Sequence, residues 1–191
     1  MLFRSGRSIA AARPGIVVEV GVWKGASVVT MAKEIQRLKL DAVVIAIDTW
    51  LGSSEHYLWE KFIPDLDFEF GYPRLYHKFA ANICNEGLQD YVVPLPLDSI
   101  NAFQLLKAKD IRPDVLHIDA GHDYQSVMAD LKAWWPQLKD GGVLIGDDYF
   151  KSFLGMSKWP DVRQAFDEFF AATPHTKFES GDGKCYVGKP G

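Results

Sequence analysis

The sequence predicts one α/β domain, a doubly wound, mostly parallel sheet with helices on both faces and an antiparallel hairpin at its C-terminal end. Three observations lead there. Five short apolar segments, at 16–20, 42–47, 91–97, 114–118 and 143–146, alternate with longer stretches of helical apolar spacing or of loop. The first and second are near-continuous Val and Ile runs, as suits strands covered on both faces. After the fifth unit, Thr176 to Glu179 and Lys184 to Gly188 flank Ser180-Gly181-Asp182-Gly183, a hairpin pattern that brings the strand count to seven.

Bulk properties narrow the class. At 191 residues the chain suits one core, and 48% apolar with 24% charged residues is a globular composition. The net charge is −4 and the basic residues are scattered, so no nucleic-acid surface is expected. Cys84 and Cys185 fit no metal-ligand spacing and read as two reduced thiols of a cytoplasmic protein. No apolar run has the length of a membrane span, and residues 1–14 carry no hydrophobic signal core. Residues 1–191 are therefore expected to form a single domain, with 1–14 as an N-terminal extension. Arg4, Arg7 and Arg13 there suit the capping of a short helix or the binding of an anion.

The first unit carries the clearest signal. Ile16 to Val20 is a strand interrupted only by Glu19, a carboxylate that is costly inside a sheet unless something polar engages it. Gly21 and Gly25 let the backbone turn sharply, and a helix opening near Ser27 presents unpaired N–H groups. Together they form a strand–loop–helix ligand cradle. The helix runs from Ala26 to Leu38, and the second strand ends on Asp48. A carboxylate there either bonds a ribose hydroxyl pair or caps a turn, and its offset from the glycines favours ribose. Residues 49–76 form an irregular insertion rich in aromatic residues, read as short helices and loops over the strand ends. A helix at about 73–86 follows, and Pro94 and Pro96 mark the third strand as an edge strand. Asp98 and Ser99 either cap the helix over 101–108 or contact an adenine ring. The fourth strand delivers Asp119, a helix over 122–138 follows, and the fifth strand delivers Asp147 and Asp148. A loop carrying Lys151 to Trp159 then leads to a helix over 160–172.

All the polar residues of interest fall at the carboxyl ends of strands. Asp119, Asp147 and Asp148 would meet at one rim if their strands are neighbours, where like charges are relieved by a hard divalent ion such as Mg²⁺. The alternative is two helix or turn caps and a solvated side chain. His117 lies within a strand and reads as a buried, satisfied histidine. His122 follows Asp119 and either takes a proton from an acceptor hydroxyl, caps the helix, or hydrogen-bonds Asp119.

Four segments then resemble one family: Glu19 to Ser27, Ile47 to Gly52, His117 to Tyr124 and Leu138 to Tyr149. They are similar in order and placement to the class I S-adenosylmethionine (SAM)-dependent methyltransferases, whose domain is Rossmann-like. Within these the chain is similar to the macrocin O-methyltransferase group, which acts on sugars of natural products. The resemblance implies a Mg²⁺-assisted O-methyltransferase acting on a hydroxyl of a small-molecule or glycosidic acceptor. It implies that Glu19, Gly21 and Gly25 surround the methionine part of SAM, that Asp48 holds the ribose, and that Asp98 and Ser99 flank the adenine. Trp23, Ser27, Thr49 and Asp119 complete the cofactor set. Asp119, Asp147 and Asp148 would hold the metal, with His122 and Asp119 as the catalytic pair. Trp23 stands where a dinucleotide enzyme has its second glycine, which disfavours NAD. No second carboxylate follows Asp119 where some relatives place a base, which leaves His122 as the substitute, or no side-chain base if the metal suffices. The region before the cradle, where the group often builds a lid or dimer contact, is short. A homo-oligomer is compatible with the sequence. Two other readings share the fold: a cephalosporin hydroxylase-like oxygenase, which wants two histidines and a carboxylate on iron, and a non-catalytic cofactor-binding module.

Overall fold

The computed structural model describes residues 4–150 and 159–191. The expected loop from Lys151 therefore lies outside the described residues, apart from Trp159. Arg4–Ala12 forms helix α1, and strand β1 (Ile16–Val20) runs into α2 (Ala26–Leu38) and β2 (Val43–Ile47). The insertion holds α3 (Ser54–Leu58), one 3-10 turn at Glu60–Phe62, α4 (Ile63–Leu66) and a small hairpin, β3 (Phe68–Glu69) with β4 (Tyr72–Pro73). Then come α5 (Leu75–Asn85), β5 (Val92–Leu95), α6 (Ser99–Ala108), β6 (Val115–Ile118), α7 (Tyr124–Gln137), β7 (Val143–Gly146), α8 (Pro160–Ala172), β8 (Lys177–Gly181) and β9 (Lys184–Gly188).

The main sheet has seven strands in the order β5-β2-β1-β6-β7-β9-β8. The first five are parallel, and β9 runs antiparallel to both β7 and β8. β5 is an edge strand, as Pro94 within it requires, because a proline has no N–H to give a second neighbour; Pro96 lies just beyond its end. Alternate strand residues feed two apolar layers. Val18, Val20, Leu116 and Leu144 pack with α6, α7 and α8, whereas Val17, Val44, Val115 and Ile145 pack with α1, α2 and α5. The segment expected as an N-terminal extension is thus part of the second layer, with Ile9 fully buried.

Both hairpin turns place two successive residues at positive φ, Phe70 and Gly71 in one and Asp182 and Gly183 in the other. That geometry matches the twist of paired strands, so the C-terminal loop is two residues and not the four expected. Leaving β1 the chain winds outward through β2 and β5, then returns to β6 on the opposite side of β1. The reversal opens a crevice beyond the carboxyl ends of β1 and β6, where open α/β sheets bind ligands.

Behind one wall of that crevice, α6 and α7 are joined by a polar contact. The Ser99 hydroxyl donates to Asp130 and accepts from Trp134 Nε1 at 2.9 Å. Burial pushes the Asp130 carboxyl up from its ordinary 3.8 to about 6, although the Ser99 hydrogen bond opposes the shift. The folded state therefore keeps a proton that the unfolded chain releases. The stability this contributes is full below pH 4 and is lost as the pH rises through 6. Asp130→Asn, which keeps an acceptor for Ser99 without the charge, should raise stability at pH 8 by about 2 kcal/mol and change little at pH 4. Thermal unfolding followed at the two pH values measures the difference.

Candidate active site

The crevice is a cleft of about 370 Å³, a size that suits a small ligand. Gly21, Asp48, Asp98 and Asp119 reach it from the ends of β1, β2, β5 and β6, and Asp148 from beyond β7. Trp23, Thr49, Ser99 and His122 also line it, and the insertion supplies His56 and Phe62. Glu19, Gly25, Ser27 and Asp147 lie outside this lining.

The cradle is held from below by Asp48. Its Oδ2 accepts the backbone N–H groups of Val22 and Trp23 at 2.9 and 2.8 Å, and its Oδ1 accepts Trp50 N–H at 2.7 Å. Trp50 Nε1 donates back to the Trp23 carbonyl at 3.0 Å. These contacts hold Trp23 at φ +53, a left-handed conformation that a non-glycine residue keeps only when its surroundings enforce it. Asp48 thus organises the loop in addition to facing the cleft. Gly21 sits at φ +84, and a Cβ there would lie 2.0 Å from the Asp119 carbonyl oxygen. Glycine lets the cradle lie directly against the loop after β6.

Glu19, expected beside the methionine part of SAM, lies behind the cradle and outside the cleft lining. It is fully buried, accepts the Ser27 hydroxyl, and lies 3.2 Å from His117 Nδ1 across the β1–β6 pair, in which the two residues are in register. His117 Nε2 lies 3.5 Å from Asp147, which is salt-bridged to Lys184 of β9. Glu19, His117, Asp147 and Lys184 form a row of alternating charge across β1, β6, the end of β7, and β9. Burial alone would lower the His117 pKa, but Glu19 and Asp147 raise it to about 9. Burial likewise opposes ionisation of Asp147, yet His117 and Lys184 hold its carboxyl well below the ordinary range.

Of the set expected to hold a metal, Asp119, Asp147 and Asp148, Asp147 is the one engaged by His117 and Lys184 in this structure. Asp148 takes a left-handed conformation, φ +51, and the backbone turn sends the two adjacent carboxylates to different partners. Asp148 Oδ2 lies 2.9 Å from His122 Nε2, and Asp119 Oδ1 lies 4.0 Å from the same nitrogen. One ligand atom from each of Asp119, His122 and Asp148 falls within 4.8 Å of the others, the one such grouping of three among the described residues. Burial and the neighbouring Asp147 charge hold the Asp119 carboxyl well above the ordinary range, an imbalance that a cation would relieve. His122 lies ahead of α7, not within it, because Asp123 is the helix cap and accepts Ser126 N–H at 3.0 Å. Its Nδ1 lies 2.5 Å from Glu55 Oε1. Burial opposes its charged form, but Asp148 and Glu55 outweigh burial and raise its pKa.

At the far end of the cleft Asp98 caps α6, accepting the N–H groups of Ile100 and Asn101 at 3.1 and 3.0 Å. Asp98 and Ser99 both line the cleft, but the Ser99 hydroxyl is committed to Asp130 and Trp134. The two histidines an oxygenase would need are not brought together: His117 serves the buried row and His122 the rim. Glu55, His56 and Lys184 escaped the sequence reading. The first two sit in an irregular insertion without periodicity, and Lys184 carries no local signal beyond its place at the start of a strand.

The five-stranded parallel core, reversed outer strand and cleft at the switch point are the architecture of Rossmann-like cofactor-binding domains. A family model described as a methyltransferase domain matches residues 18–149, and the chain belongs to that family. Over 182 residues the chain is 28% identical to an uncharacterized protein of Sinorhizobium fredii, y4gI; the match covers 94% of this chain and 18% of that protein. The chain thus spans under a fifth of that relative's length. Among solved structures, an O-methyltransferase of Bacillus cereus in complex with SAH is similar at a TM-score of 0.65 and 19% identity, covering 97% of this chain and 79% of that one. TomG of Streptomyces achromogenes, an O-methyltransferase involved in tomaymycin synthesis and bound to SAM, is similar at 0.67 and 14%, covering 98% and 78%. At these identities the likeness establishes the fold.

Removing one member of the buried charge row leaves its partner uncompensated. Lys184→Met should therefore destabilise the protein by about 2 kcal/mol, a figure that allows for the partial exposure of the pair. Thermal unfolding at pH 7 tests it, and an unchanged midpoint would remove Lys184 from the row.

Proposed function

We propose that the protein is a SAM-dependent O-methyltransferase that methylates a hydroxyl group of a small-molecule or glycosidic acceptor, assisted by a divalent cation such as Mg²⁺. The observation that carries this reading is the grouping of His122, Asp119 and Asp148 in the lining of a cleft that Gly21 and Trp23 of the cradle also line. Membership of the methyltransferase domain family supports it, as do SAM and SAH in structures of the same fold. The narrower grouping with macrocin O-methyltransferases belongs to the same proposal and rests on the four segments Glu19 to Ser27, Ile47 to Gly52, His117 to Tyr124 and Leu138 to Tyr149.

The cradle fits such a cofactor. Gly21 leaves room at the loop, Asp48 keeps acceptor capacity for a ribose hydroxyl beside its loop contacts, and Asp98 and Ser99 bound the space for the base. Glu19 acts through the cradle, fixing Ser27 and His117. Bound there, SAM would supply an electrophilic sulfonium methyl for the acceptor oxygen, the C–S electron pair returning to sulfur to leave neutral SAH. A divalent ion held by Asp119 and Asp148 would orient and acidify the acceptor hydroxyl. His122 Nε2, at the same rim, takes the hydroxyl proton. His56 and Phe62 close one side of the cleft and exclude water from it.

Titration calorimetry with SAH should show saturable binding to the folded protein, and no heat at millimolar ligand would defeat the assignment. In assays over a panel of hydroxyl acceptors, His122→Ala should lower kcat about 10²–10⁴-fold while SAH affinity stays within a few-fold. Asp148→Asn should weaken Mn²⁺ binding, read by its electron paramagnetic resonance signal without any turnover.

A further inference from the structure

We infer that Glu55 is the positioning residue for His122, so that the irregular insertion, and not the sheet alone, completes the reacting centre. The inference rests on the proposed function in giving His122 the role of proton acceptor, but the contact itself stands independently. Glu55 lies 67 positions before His122, on α3. Its Oε1 reaches His122 Nδ1 at 2.5 Å, and the two side chains are only 15% and 17% exposed. Trp159 stacks on the imidazole from another direction, with centroids 4.2 Å apart and planes 12° from parallel. The ring is thus held at one nitrogen and on one face, and its remaining nitrogen, Nε2, is turned to Asp148 and Asp119.

A carboxylate at Nδ1 fixes the plane of the ring and so the direction in which Nε2 meets the rim, as the carboxylate that orients the histidine does in hydrolytic triads. The support for Glu55 is itself fixed. Ser53 N–H donates to His56 Nδ1 at 2.9 Å, closing the start of α3. The His56 ring stacks on Trp23 of the cradle at 3.9 Å. Adjacent residues of one short helix therefore touch the cofactor cradle on one side and the proton acceptor on the other. Binding in the cradle and the orientation of His122 share this helix.

The test uses Glu55→Ala and the isosteric Glu55→Gln in the full chain. The ¹⁵N resonances of His122 in labelled protein should shift in Glu55→Ala, where the carboxylate at Nδ1 is lost, and those of His117 should stay in place. The kcat of Glu55→Ala should fall about 10²-fold with the KM for SAM within twofold, and added formate should restore part of the rate. Glu55→Gln, which keeps the shape but not the charge, should lose at least about tenfold in kcat. An unchanged His122 spectrum in Glu55→Ala overturns the inference, as does an unchanged kcat in Glu55→Gln. Failure of wild-type SAH binding with the His122 resonance shift intact would instead count against the methyltransferase reading and leave the Glu55 contact standing.

Discussion

The ion pair between Glu19 and His117 is the constraint on which the rest of the site depends. It lies across the two parallel strands where the sheet reverses direction, on the face covered by α2. Glu19 reaches α2 through Ser27, so the pair anchors the helix whose first turn faces the cradle. His117 passes the constraint to Asp147, and Asp147 passes it to Lys184 of the antiparallel strand β9. An isolated charge buried in a sheet is prohibitively costly, whereas a row of alternating sign with each group paired is tolerated. The terminal hairpin thus has an electrostatic role in addition to extending the sheet: it supplies the cation that lets Asp147 stay ionised beneath the rim.

The same arrangement divides the acidic residues by task. Asp147 is drawn down to His117 and Lys184, and Asp148, turned by its left-handed backbone, stays at the cleft with Asp119 and His122. One family of buried charges fixes the architecture and another remains unbalanced at the surface of the cleft. Perturbed groups concentrated in a concave site of this kind are what a reacting centre requires.

A chain of aromatic rings links Trp23 to His122. Trp23 stacks on His56, His56 meets Phe62 edge-on, Phe62 stacks on Trp59, Trp59 on Trp159, and Trp159 on His122. The insertion therefore runs as a continuous apolar arc from the cradle to the rim. The arc gives Trp59 and Phe62, in a segment without regular periodicity, a place between Trp23 and His122.

The sheet, its edge strand, the covering helices and the hairpin are all legible in the sequence, because strand and helix periodicities and the turn chemistry of Gly and Pro are local properties. The cradle is legible for the same reason: Glu19, Gly21 and Gly25 are close in the chain, and Asp48 stands where a strand ends. What the tertiary structure decided is how charges pair. Nothing near Asp147 in the chain indicates that Lys184 lies beside it, and nothing near His122 indicates Glu55. Those pairs form only when β9 docks on β7 and the insertion folds over the strand ends. Adjacent Asp147 and Asp148 look equivalent as letters, yet one backbone turn gives them different partners. The sequence by itself determined the fold and the edge on which chemistry would sit. The assignment of each ionisable group to structure or to reaction depended on long-range proximity, because a charge is governed by its neighbours in space and not by those in the chain.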